Sequence, residues 1–272
     1  MLFKADDRGT GEDWAEVITC ELCRLIGLPH VDYELAVECD GPVDLRPGVV
    51  CENIAPKSAT LVLGNQLLLA LDPNYPHHQR FRVQQHTIEA VSKIVRVLAA
   101  PSAVWMASVP KEIESALDVF AGYIMLDAWI ANQDRHHENW GALIEEDKMR
   151  LAPTFDHGAA LARNLLDIER ESRMTTKDRN RTVGAFAQRG RSAFYRTSAE
   201  KRPLELTQTF REFAAEVPQA KRVWLDRLQV VNREMMRAVI ERVPAVRMSD
   251  TTKQFTLELL ETNQRRLLNR GN

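Results

Sequence analysis

The sequence has no apolar run approaching the roughly 18 residues that a membrane-crossing helix needs. Its first residues also lack the charged-then-apolar pattern of a signal peptide. A cytoplasmic protein is therefore expected. Charge of one sign is missing too: 36 Lys and Arg stand against 38 Asp and Glu, a formal net charge of −2. Such balance provides no global pull toward nucleic acid or an anionic membrane, and direct binding to either is not expected. No segment recurs at a period of roughly 20–50 residues, which excludes a solenoid.

Cysteine is scarce. The four present, Cys20, Cys23, Cys39 and Cys51, follow the spacing C-x2-C-x15-C-x11-C. That brushes against zinc-site patterns. However, Cys20 and Cys23 fall inside a helical apolar pattern rather than at a knuckle turn, so the four are expected to be reduced core thiols.

What the chain does have is ordinary globular material, 272 residues that are 44% hydrophobic and 27% charged. That suffices for one large domain or two small lobes around a real core. Leu2 to Lys4 read as the end of a strand, and Ala5 to Gly11 as a polar turn. Glu12 to Ile26 carries amphipathic spacing, with Gly27 placed to end the helix. Tyr33 to Glu38 and Val49 to Glu52 read as strands joined by the Gly/Pro-containing loop Asp40 to Gly48. The run from Lys57 to Asp72 reads as extended, with Gly64-Asn65 as a turn, before the loop Pro73 to His78.

From Thr87 onward helical periodicity dominates. It predicts helices at Ile88 to Ala99, Lys111 to Asn132, Leu204 to Ala214, Lys221 to Leu228, Arg233 to Val243 and Thr251 to Leu268. Pro110 suits the first turn of the second of these. Arg163 to Arg202 holds 11 Lys and Arg against 5 Asp and Glu. It reads either as a solvated connection or as a mobile, substrate-facing or activation-type loop in which Ser192 could accept phosphate.

The chemistry concentrates between Leu126 and Leu161. An apolar helix gives way to Asp134, Arg135, His136, His137, Glu138 and Asn139. Two short runs, Gly141 to Ile144 and Met149 to Ala152, predict a hairpin turning at Glu145 to Lys148, and this delivers Asp156, His157 and Gly158. Taken singly, Asp134 could be a surface salt-bridge partner, Asn139 a turn residue and Asp156 a helix N-cap. Their joint spacing matches the phosphotransfer layout of protein kinases, in which a loop Asp meets the acceptor hydroxyl and an Asn and a second Asp hold Mg²⁺. Both Asn and Asp offer the hard oxygen donors that Mg²⁺ prefers.

A rival reading takes His136, His137 and His157 as ligands of a metal hydrolase. His137-Glu138 begins an H-E-x-x-H motif, but Gly141 stands where its second histidine belongs. The kinase layout also needs a strand lysine paired with a helix glutamate. Lys4 can supply the first, and Glu16 or Glu12 the second.

Asn132 to Asn139, followed by Ala152-Pro153-Thr154-Phe155-Asp156-His157-Gly158, resembles the HipA-like serine/threonine kinases. The resemblance extends back through Trp14-Ala15-Glu16 and Leu25 to Pro29 to Phe3-Lys4, and is closer to compact, stand-alone members than to the long toxin kinases. It implies an α+β, protein-kinase-like two-lobed fold, with a reduced N-terminal lobe at residues 1–56 and a mainly helical C-terminal lobe at 57–272. It implies ATP and Mg²⁺ as cofactors and protein Ser/Thr hydroxyls as acceptors. Asp134 would be the catalytic Asp, Asn139 and Asp156 the Mg²⁺ ligands, Lys4 the ATP-binding lysine and Glu16 its partner. Val50, Cys51 and Glu52 would lie where the hinge meets adenine.

One departure stands out. In this family strands and a phosphate-covering loop precede the strand lysine, whereas here Lys4 is the fourth residue and no Gly- or Ser-rich loop is present. The expectation is weak or absent kinase activity from this chain alone. A late start, a lobe-completing or antitoxin-like partner protein, or a regulatory role for a kinase fold would each account for it. An acceptor that is a lipid or small molecule is compatible with the same catalytic loop.

Overall fold

The computed structural model describes residues 1–6, 9–40, 44–55, 59–145 and 148–269. The predicted 56/57 lobe boundary and hairpin tip lie outside the described residues, as do parts of the predicted Ala5–Gly11 turn, Asp40–Gly48 loop and Lys57–Asp72 run. Strand β1 (Leu2–Ala5) leads into helix α1 (Glu12–Ile26), then β2 (Tyr33–Asp40) and β3 (Asp44–Cys51). The three strands form an antiparallel sheet of order β1-β3-β2, so β1 is an edge strand. Gly27, at φ 73, ends α1 as its spacing predicts.

The β2 and β3 strands run longer than predicted. Pro47 fits inside β3 because the β1 register stops at Gly48, beyond which only the Asp6 amide still reaches the Pro47 carbonyl, at 2.8 Å.

A second antiparallel sheet, of order β4-β5-β6, joins β4 (Ala59–Leu63) to the hairpin β5 (Gly141–Glu145) and β6 (Lys148–Leu151). The predicted hairpin is thus present, but the extended run before it is only half extended. After β4 the chain turns into helix α2 (Gly64–Leu71). The Gln66 side chain accepts from the Leu63 amide, and the Gly64 and Asn65 amides donate to the Trp140 and His137 carbonyls. Gly64 is required at that junction, since a Cβ there would lie 2.3 Å from the Trp140 ring.

Helices α3 (Ile88–Val97) and α4 (Ala103–Met106) precede α5 (Ala116–Trp129). The last begins five residues later than predicted. Pro110 instead accepts a turn bond from the Ile113 amide. Ser115 and Asp118 form a reciprocal capping box, which satisfies two amides that a start at Lys111 would leave unpaired. Helix α5 is apolar on every side, as befits a helix buried on every side. Asp127 is its only buried carboxylate.

Around α5 pack α8 (Leu206–Phe213), α9 (Pro218–Gln229) and α11 (Asp250–Leu268), and α10 (Arg233–Glu241) lies against α11. The basic stretch before them is not an unstructured connection, since it contains α6 (Asp167–Thr175) and α7 (Val183–Arg189). α6 is a polar helix whose Asp167 and Arg173 suit its two dipole ends, so it lacks the apolar stripe that would announce it. Ser192 lies after α7 in this stretch. It is buried, and its hydroxyl donates to the Leu204 carbonyl and accepts from Thr209 Oγ1.

Two cysteine expectations also need correction. Cys20 and Cys23 are buried as predicted, but Cys39 on β2 is exposed and Cys51 only half-buried. All four are free thiols.

Candidate active site

Three carboxylates and one ammonium define the cleft between β1, α1 and the segment after the hairpin. Lys4 Nζ lies 2.9 Å from Glu16 Oε1 and 2.5 Å from Asp156 Oδ1. Edge strand, helix and distant loop therefore meet on one cation. The sequence left Glu12 and Glu16 in competition for Lys4. The structure pairs Glu16 with it and sends Glu12 to Arg163 at 2.8 Å.

Glu16 is fully buried, and its second oxygen accepts from the His157 amide at 2.8 Å. Burial pushes its carboxyl up to about 7, against the pull of Lys4 and that amide. Burial alone would lower the Lys4 ammonium, but Glu16 and Asp156 outweigh it and raise it above its ordinary value.

Asp134 and Asn139 come from the loop that follows α5. Its backbone is held by Arg135, which is buried and makes two 2.8 Å bonds to the Asp127 carboxylate. A third arginine N–H donates to the Asn139 carbonyl at 2.9 Å. A forked guanidinium on a buried carboxylate is the geometry lysine cannot reproduce. Asn132 ties in the other end, donating to Asp127 and accepting from the Asp134 amide. The Asn139 side-chain amide donates to the Asp134 carbonyl at 2.8 Å, so its oxygen is the atom left to face a cation. Burial, then the Asp156 carboxylate, push Asp134 up to about 6.

Backbone strain collects around this loop. Ala131, Asp156, Leu161 and Ala162 all have φ between 51 and 57, a region that costs a non-glycine residue on the order of 1–3 kcal/mol. Gly158 lies close against the cluster: a Cβ there would sit 3.1 Å from Lys4 Nζ and 3.2 Å from Glu16 Oε1.

The histidines do not form a metal centre. His137 Nδ1 meets the Tyr75 hydroxyl at 2.8 Å, His157 Nε2 meets Thr154 Oγ1 at 2.8 Å, and His136 faces Arg80. Burial lowers all three, His136 to about 4, so they are neutral. Among the described residues the one group with metal-ligand spacing is Cys20, His30 and Asp32, where Arg24 already lies 2.5 Å from the Asp32 carboxylate.

Glu52 stands apart from the Lys4 cluster. It lines a cavity of ≈580 Å³ with Met1, Val50, Ile54 and Trp105. Cys51, beside it in the same wall, feels the charges of Glu16 and Lys4, so the two regions adjoin. Sequence reasoning missed Asp127 and Arg80. A lone carboxylate in an otherwise apolar helix was the available signal for Asp127. Nothing local distinguishes Arg80, which reaches the loop only through the fold.

The architecture has solved counterparts. The crystal structure of the proinflammatory kinase CtkA of Helicobacter pylori superposes with a TM-score of 0.71 at 16% identity, covering 99% of this chain and 88% of that one. The chain has the HipA-like kinase fold. HipA of Shewanella oneidensis, solved with HipB and operator DNA, matches with a TM-score of 0.54 at 10% identity over 93% of this chain. The chain spans about half of that HipA, 54% of its length. No protein-family model and no curated protein matches the sequence. Against the HipA-like fold the expected α+β class holds, with a small sheet region followed by a larger helical one.

Among the described residues no helix is long and apolar enough to cross a membrane.

Proposed function

We propose that the chain is an ATP- and Mg²⁺-dependent phosphotransferase acting on protein serine or threonine hydroxyls, with residues 1–56 as its nucleotide-side lobe and 57–272 as its acceptor-side lobe. The observation that carries this is the convergence of Lys4, Glu16 and Asp156 on one point, beside a loop that presents Asp134 and Asn139. The donor set suits the cofactor: the Asn139 and Asp156 oxygens are the hard ligands Mg²⁺ takes together with phosphate oxygens. When bound, the ion neutralises charge on the transferring phosphoryl group.

The chain's own residues do the rest. Lys4, fixed by Glu16, orients the nucleotide phosphates, and Glu52 with its neighbours lines the adenine side. Asp134 accepts the hydroxyl proton as the acceptor oxygen bonds to the γ-phosphorus and the bond to the β–γ bridging oxygen breaks, releasing ADP. A raised pKa near 6 leaves Asp134 ionised at neutral pH and basic enough to orient that proton.

Asp134→Ala should abolish transfer of radiolabelled phosphate while retaining nucleotide binding by calorimetry. Transfer at the wild-type rate would sink the assignment of the base.

A second reading is a kinase fold that works only with a partner chain. It is favoured by the position of Lys4 on β1, which among the described residues pairs on one side only, with β3. An antitoxin-like or lobe-completing protein that adds a strand there would co-purify with the chain and raise its ATP affinity. Unchanged affinity in the presence of such a partner would remove this reading.

A further inference from the structure

A cavity of ≈650 Å³ opens directly beside Asp134. Three segments distant in sequence build its wall: the stretch before α3, the loop after α5 and the connection between α7 and α8. Four cations line it, Arg80, Arg82, Arg191 and Lys201, against a single carboxylate, Asp134 itself.

Only Arg80 is engaged, by His136 at 3.2 Å and by Glu138 at 3.6 Å. Arg82, Arg191 and Lys201 are exposed and have no carboxylate partner among the described residues. Arg82 is also held in the left-handed region, at φ 58, the same kind of strain that surrounds the catalytic loop. Unneutralised like charges around a concave wall focus a positive potential into it.

Phe81, 58% exposed, and the half-buried Pro203 add apolar contact area.

We propose that this cavity binds the acceptor segment and selects an acidic one, a serine or threonine flanked by Asp or Glu side chains on a partner protein. The proposal rests on the phosphotransferase function given above and names the substrate class of that same site. The charges arise from three separate segments, which fits a run of carboxylates along an extended peptide better than a single bound phosphate. The interleaved apolar surface fits side chains between them. The net charge of −2 gives no global pull toward a nucleic-acid strand.

The test compares binding of fluorescently labelled peptides to the full chain by anisotropy. Each peptide carries one serine, flanked by acidic, neutral or basic residues. A single-stranded RNA of equal charge serves as competitor, and transfer from ATP is followed in parallel. The acidic peptide should bind about tenfold or more tightly than the neutral one, as several exposed ion pairs together would give, and added salt should erase the difference. The triple variant Arg82→Glu, Arg191→Glu, Lys201→Glu should lose that preference. If it does not fold, as judged by circular dichroism, the single variants Arg82→Gln and Lys201→Gln should each weaken it in part.

Equal binding of all peptides, a preference for the basic peptide, or displacement by RNA at lower concentration than by acidic peptide would each overturn the proposal. Acidic preference without any phosphate transfer would instead count against phosphotransfer by the chain alone and leave the binding specificity standing. Transfer without acidic preference would do the reverse.

Discussion

The fully buried Glu16 accepts a 2.8 Å hydrogen bond from the His157 amide with one carboxylate oxygen, while the other holds Lys4 at 2.9 Å. Helix α1 is thereby fastened to the segment that carries Asp156, and Glu16 together with the direct 2.5 Å Lys4–Asp156 contact sets where Lys4 lies. Glu16→Gln keeps the shape and removes the charge. Phosphate transfer should fall by about a hundredfold, the scale on which a preorganised electrostatic contact acts. Stability should hardly change, because a buried charge is removed together with its desolvation cost. Thermal melting alongside transfer assays separates the two, and a large loss of melting temperature with normal transfer would contradict the assignment.

Arg135 and Asp127 should behave differently. Neither faces the cleft, and both are almost fully buried. Arg135→Met or Asp127→Asn removes one partner and strands the other's charge in the core, at a cost of about 3–5 kcal/mol. The urea midpoint reads this directly. A midpoint within error of wild type would mean that the pair is dispensable for the fold.

Gly158→Ala tests how tightly the cleft is built. The added methyl would press on Lys4 Nζ at 3.1 Å and on Glu16 Oε1 at 3.2 Å, both ends of side chains that can give way. A stability loss of about 1 kcal/mol or less is expected, with a clear drop in nucleotide affinity. Calorimetric titration that finds wild-type affinity would show that the Lys4–Glu16 geometry is not what the nucleotide reads.

His86 should cost the chain stability on mild acidification, against the opposite pull of Glu16 and Asp134, whose raised carboxyls take up protons first in the folded chain. His86 is buried between the Ala193 carbonyl and the Trp140 indole N–H, and burial lowers it from 6.5 to about 3. A histidine depressed in the folded state is protonated first in the unfolded chain. Stability is therefore fully present above the unfolded value and is lost as the pH falls below about 6.5. At about pH 5 this one group accounts for about 2 kcal/mol, and His136 and His157 act in the same direction. Denaturation midpoints measured from neutral to mildly acidic pH, with His86→Gln as comparison, should show a steeper acid loss in wild type. Parallel pH profiles would remove His86 as the cause.

Much of the local architecture was readable from short-range rules. The bounds of α1 and its ending at Gly27, the hairpin that delivers Asp156, and the C-terminal helices follow from apolar periodicity and turn residues. So does the grouping of Asp134, Asn139 and Asp156, because these lie close in sequence and their spacing is itself the signal. Two misplacements have identifiable causes, one local and one long-range. The Ser115–Asp118 capping box delayed α5, and the packing of Gly64 against Trp140 turned an extended run into α2.

What tertiary structure alone decided is which distant groups meet. By itself the sequence determined that a carboxylate-bearing loop and a hairpin-borne Asp would sit together, since helix, loop and hairpin are contiguous. It could not choose Glu16 over Glu12, because both lie on α1 one turn apart and only the docking of β1 and the Asp156 segment against that helix separates them. Nor could it place Lys4 beside Asp156, 152 positions away, or gather Arg80, Arg191 and Lys201 around Asp134. Helical and turn signals act over a few residues through backbone bonds. Long-range convergence is set by how the two sheets and α5 bury their apolar faces, which no local spacing records.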